Sequence, residues 1–261
     1  MSRRLQEFVD AKEYPWLRIV KIPTRLGKGN TYLHLAAVYG QFGMFEWILE
    51  SETDKKLLYE NCSSSFLSAC YFGRVMIAEM LLNKLDKLKN DLMRVGILVN
   101  DSVNNLMTKI MYVESGFKHG CRAGHVNIVE MLIDKSENEK NNPLTKSLKF
   151  DFTAKNNFGH TGFHLACEGG HTNVVELLID RSESLNFDLT AKNCNGHTGF
   201  HLACAAGYWN VVEMLKDKSE SLKIDLTAKD VQGYTGFQLA VKFGNVDVIN
   251  WINSKIPCLV L

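Results

Sequence analysis

Gly159-His160-Thr161-Gly162-Phe163-His164-Leu165-Ala166-Cys167 recurs without change as Gly196 to Cys204. A looser third copy runs Gly233-Tyr234-Thr235-Gly236-Phe237-Gln238-Leu239-Ala240. Thr161, Thr198 and Thr235 stand 37 residues apart each time. A fixed period of roughly 20–50 residues marks one supersecondary unit stacked on itself. The core must then be linear rather than globular, each unit leaning mainly on its neighbours.

Weaker copies emerge in the same register. Thr31, Leu33, His34, Leu35, Ala36 and Gly40 form one, Ser64, Phe66, Ala69 and Gly73 a second, Ser115, Phe117 and Gly124 a third. Six units result, with cap positions separated by 33, 51, 46, 37 and 37 residues. In the copy at 159–180, Gly159 supplies a turn and Thr161 sits where a helix begins, its hydroxyl able to take an orphan backbone N–H. Phe163, Leu165, Ala166 and Cys167 give that helix a buried side, and Gly170 ends it. Val174, Val175, Leu177 and Leu178 then form the apolar stripe of a second helix. Both helices are too short to stand alone, so stacking must supply their burial.

These motifs resemble the ankyrin repeat, whose hallmark is Thr-Pro-Leu-His-x-Ala between a turn and a helix pair. The resemblance implies an all-α ankyrin-repeat solenoid of stacked helix pairs with short β-hairpin loops. Residues 1–26 read as an N-terminal cap or recruiting segment, 27–256 as the repeat domain, and 257–261 as a tail. Helices are expected to start near 31, 64, 115, 161, 198 and 235, with insertions at about 83–112 and 135–150. In the first insertion Leu85, Leu88 and Leu92 are spaced for one helix face, which suits a lengthened second helix, a packed loop, a hinge or a partner-docking element. The resemblance also assigns the repeat motif Thr31, His34, Thr161, His164, Thr198, His201 and Thr235 a structural role, each histidine tying its ring back to the cap and the neighbouring loop. One departure stands out. The family's proline after the threonine is replaced by Gly162, Gly199 and Gly236, and glycine loses more backbone entropy on folding, so each unit should be less stable than a consensus one.

The seven cysteines do not read as a metal or redox centre. Cys70, Cys121, Cys167 and Cys204 share one repeat position. Stacked helices lie about 8–10 Å apart, beyond the reach of about 7 Å that a disulfide needs and of a common zinc ion. Core packing suits them. His160 and His197 fall at hairpin positions expected to face solvent. No catalytic, cofactor or metal set is found, so an enzyme is not expected and no cofactor is implied. A formal net charge of +1 over 261 residues gives no footprint for nucleic acid or anionic membrane. With neither an N-terminal apolar leader nor a run of about 18 apolar residues, an intracellular, cytoplasmic place is expected.

Ankyrin-like stacks bind other proteins through hairpin tips and the concave face of the first helices, and this implies a non-enzymatic interaction module: an adaptor, inhibitor or scaffold. Partner-contact candidates at the first-helix ends are Tyr39, Tyr71, Phe72 and Phe243, since exposed aromatics anchor interfaces. The last four residues, Cys258-Leu259-Val260-Leu261, have the form of a geranylgeranylation signal. Prenylation of Cys258 would make the chain a membrane-tethered scaffold. Against it, Leu259 and Leu261 fall in register with apolar positions of the preceding repeat and suit a folded-back cap, and Lys255 stands nearly alone as a second, basic signal.

Overall fold

The computed structural model describes residues 32–51, 55–94, 102–140 and 150–256. Fourteen helices and no strand occur among them. They are α1 Tyr32–Tyr39, α2 Phe42–Ser51, α3 Lys55–Tyr71, α4 Val75–Arg94, α5 Ser102–Ala123, α6 Val126–Lys140 and α7 Gly162–Glu168. The remainder are α8 Thr172–Asp180, α9 Ser182–Leu185, α10 Gly199–Ala206, α11 Trp209–Asp217, α12 Ser219–Leu222, α13 Gly236–Phe243 and α14 Val246–Lys255. The first helices α1, α3, α5, α7, α10 and α13 pack in that order, and the second helices form a parallel row behind them.

In the last three units the sequence writes both ends of the first helix. Thr161, Thr198 and Thr235 are extended N-caps, each accepting a hydrogen bond from the backbone N–H three residues on, while His164, Gln238 and their equivalent His201 reach back to the cap's own amide. Two orphan donors are thereby satisfied reciprocally. Left-handed Gly170, Gly207 and Gly244 turn the chain into the second helix. The hairpin tips are tight turns. The Asn156 side-chain oxygen accepts from the amides of Phe158 and His160, and the Cys194 amide donates to Phe158 O of the preceding tip. Asn193 and Asp230 build the next two turns alike, and the Val231 amide donates to Asn195 O.

The core runs as one line from Leu33 to Ile252. Its knobs are Phe66, Phe117, Phe163 and Phe200, all essentially fully buried. Each knob meets the glycine that follows the cap position of the next unit. A Cβ on Gly199 would lie 2.7 Å from the Phe163 ring and 2.9 Å from Cys167 Sγ, and Gly116, Gly162 and Gly236 repeat the fit. This changes the meaning of the glycines that replace proline. Their missing side chain is the hole into which the preceding unit's Phe and Cys insert, and the contact offsets the entropy cost expected for them.

Two helix starts need correction. Ser64 and Ser115 do not begin helices but lie inside α3 and α5, which start at Lys55 and Ser102. At these two positions the hydroxyl of a cap competes with an already continuous backbone ladder, and the Ser64 hydroxyl bonds back to Asn61 O instead. The expected insertions resolve in part: α4 continues to Arg94, α5 begins early, and α6 extends to Lys140. Residues 95–101 and 141–149 lie outside the described residues, as do 1–31, with Thr31, and the tail 257–261, with Cys258.

Candidate functional site

The repeat histidines serve the scaffold. His164 is buried, and its Nε2 lies 3.0 Å from His197 O in the next tip. A carbonyl only accepts, so Nε2 carries the proton and Nδ1 is left to accept from the Thr161 amide at 3.3 Å and from its hydroxyl at 2.8 Å. Burial, foremost, pushes the His164 pKa down to about 4, so the ring is neutral near pH 7. His201 makes the same cap, its Nδ1 facing the Thr198 amide and hydroxyl. Its pKa is likewise lowered by burial. His34 is only half-buried, with Nδ1 3.2 Å from Ser68 Oγ, and burial lowers its pKa too.

His160 and His197 are not free in solvent as expected. The Asn193 side-chain N–H donates to His160 Nε2 at 2.8 Å, and His197 Nε2 meets Asp230 Oδ2 at 3.2 Å. Each ring therefore ties one tip to the next. Burial opposes ionisation at Asp230, yet the amides of Tyr234 and Gln232 together with the His197 ring hold its carboxyl below the usual range.

Cys70, Cys121, Cys167 and Cys204 are free, fully buried thiols whose pKa values burial raises far above neutrality. Cys62 is pushed up to about 12, again mainly by burial. Such thiols are poor nucleophiles and poor metal ligands. Among the described residues, no group of three His, Cys, Asp or Glu side chains is placed to hold a metal ion.

A ladder between units escaped the sequence reading. The residue after each helix-ending glycine reaches the end of the preceding first helix. Arg74 Nε donates to Val38 O, His125 Nε2 to Tyr71 O, His171 Nε2 to Arg122 O, and Asn245 Nδ2 to Cys204 O and Ala205 O. These bonds satisfy helix-terminal carbonyls from the neighbouring unit. Tyr208 holds the same position and lays its ring against Gly170 instead. The side chains differ in every unit, so no sequence motif announced the shared role.

What remains for a partner is the surface of the first helices and tips. Tyr39 and Phe243 are 59% and 61% exposed at opposite ends of the described stack, while Tyr71, the last residue of α3, and Phe72, in the turn that follows, are exposed together. Tyr71 stands edge-on to Phe72 and to His119 of α5, joining two units. The tips add Phe158, 71% exposed, and Val231. These two tip residues were missed, although their place between Asn156 or Asp230 and a turn glycine is visible in the sequence.

Residues 139–230 match the family model of ankyrin repeats, in three copies. They are ankyrin repeats, and the helix pairs on either side continue the stack, so the fold is an all-α ankyrin-repeat solenoid. Such repeats generally mediate protein–protein interaction. A comparison with the curated proteins finds no match. No helix among the described residues is long and apolar enough to cross a membrane.

Proposed function

We propose that this chain is a non-enzymatic protein–protein interaction module, an adaptor, inhibitor or scaffold that binds another protein through the concave face of its first helices and tips. The observation that carries this reading is the division of labour among its side chains. The residue types that do chemistry elsewhere, His164, His201 and the buried cysteines, serve caps and core. Tyr39, Tyr71, Phe72 and Phe243 stay exposed on the face the core does not need. A fourfold variant, Tyr39→Ala, Tyr71→Ala, Phe72→Ala and Phe243→Ala, tests it. Its far-UV circular dichroism and Tm should match the wild type, and proteins cross-linked to the wild-type chain in cells should be lost. Retention of every cross-linked protein by the folded variant would refute the reading. The alternative, a prenylated membrane-tethered scaffold, rests on the sequence at Cys258 alone, and the intact mass of the chain from eukaryotic cells beside a Cys258→Ser control tests it.

A further inference from the structure

Two shallow cavities of about 370 and 410 Å³ lie side by side on the first-helix face and share His119 and Arg122 of α5 in their walls. Together they make one groove across α3, α5, α7 and the tip at 156–158. Among the described residues lining it there are three cations, Lys118, Arg122 and Lys155, and no carboxylate. Lys118 and Lys155 direct their ammonium groups at backbone carbonyls, Ala154 O at 3.5 Å and Lys192 O at 2.8 Å, and Glu114, one turn before Lys118 on α5 and outside the groove wall, is near enough to interact with the Lys118 charge. Arg122 is well exposed and forms a long, solvent-screened ion pair with Glu168, outside the groove wall, across 3.9 Å. Apolar lips flank these charges: Tyr71 and Phe72 on one side, Phe158 on the other. On the second-helix face a cavity of about 630 Å³ is lined by Glu79, Glu130 and Asp134 against a single Lys135, with Arg181 paired to Asp134 from the next unit. A net charge of +1 therefore hides local patches of unlike charge.

We propose that the groove receives an acidic peptide segment that carries an apolar side chain. Carboxylates of the segment meet Lys118, Arg122 and Lys155, and its apolar residue seats against Tyr71 and Phe72 or Phe158. Charges of this kind steer association and choose the partner, while the aromatics supply the anchor. A nucleic acid fits less well, because three cations beside exposed apolar rings are few for a phosphate track. The assignment rests on the first-helix face being the partner surface.

The test is to pan a random-peptide phage library on the full chain and measure the enriched peptides by fluorescence anisotropy. Enriched sequences should pair Asp or Glu with an apolar residue. Their affinity should fall about tenfold for each of Lys118→Glu and Arg122→Glu, about 1.4 kcal/mol apiece, and fall further as salt is raised. Both variants should keep the wild-type circular dichroism spectrum. Neutral or basic peptides that ignore the charge variants but are lost in Tyr71→Ala/Phe72→Ala would overturn the acidic class and leave the partner face standing. Peptides indifferent to both sets, or no enrichment over a bare support, would overturn the inference together with the reading beneath it. Binding of a single-stranded oligonucleotide that is lost in Lys118→Glu and Arg122→Glu would overturn it in favour of nucleic acid.

Discussion

Acid should loosen this solenoid through one identifiable ring. His164 is neutral when folded because burial holds its pKa at about 4, against an ordinary 6.5. Its Nδ1 must also stay unprotonated to accept from Thr161. The unfolded chain takes up a proton near pH 6.5, whereas the folded chain resists until about pH 4. The stability tied to this difference is whole above pH 6.5 and drains away as the pH falls toward 4. Working the two pKa values through the linkage relation gives a loss of about 2 kcal/mol between pH 7 and pH 5, rising to about 3 kcal/mol below pH 4. The last unit provides a control, because there Gln238 replaces the histidine and its side-chain oxygen accepts from the Thr235 amide at 3.0 Å. His164→Gln should thus keep the cap and lose the titration. At pH 7 it should cost about 1 kcal/mol, for the lost bond to His197 O. Urea unfolding at pH 7 and pH 5 should show the wild type losing about 2 kcal/mol more than the variant. Equal losses in both proteins would refute the reasoning.

Other expectations follow from the packing. Gly199→Ala should destabilise by about 1–3 kcal/mol, because its Cβ enters the space of Phe163 and Cys167, although backbone entropy alone would favour the change; thermal unfolding decides, and a raised Tm would contradict the knob-and-hole account. Tyr208→His should supply the missing rung of the ladder toward Glu168 O and stabilise by about 0.5–1 kcal/mol, read as a higher urea midpoint. Peptide mapping after brief treatment with an aromatic disulfide reagent should find Cys194 modified and Cys70, Cys121, Cys167 and Cys204 untouched, since only the first of these five is exposed. Hydrogen exchange should be faster over Ser64–Gly124 than over 160–250. The middle helices lack the threonine caps, and Ser63, Ser65 and Ser68 bond back to carbonyls four residues earlier, which weakens helices slightly.

The periodic residues were legible because each has a local job. Thr161 and Gly170 mark the ends of a helix wherever they occur, and the stripe of Val174, Val175 and Leu178 shows its buried side without any knowledge of neighbours. The register of Tyr39, Tyr71, Phe72 and Phe243 at the first-helix ends suited either a solvent-facing contact or packing on a neighbouring hairpin, and the structure leaves all four exposed. The starts of α3 and α5 were not, because a serine in cap register is also a residue that can sit mid-helix and bond to its own backbone.

The sequence by itself determined the repeating unit, the threonine caps of its last three copies and its buried stripe, all of which depend on contacts within about 37 residues. Tertiary structure decided what the units do to one another. Gly162 and Gly199 became sockets only when Phe117 and Phe163 arrived from the unit before. Arg74, His125, His171 and Asn245 shared a role only once their carbonyls were in reach. Charges that sum to nearly nothing along the chain gathered into local patches, Lys118, Arg122 and Lys155 in one cavity and Glu79, Glu130 and Asp134 in another, because first and second helices alternate in sequence but separate in space. A composition cannot express that separation, since charge at a distance in sequence acts only through distance in space.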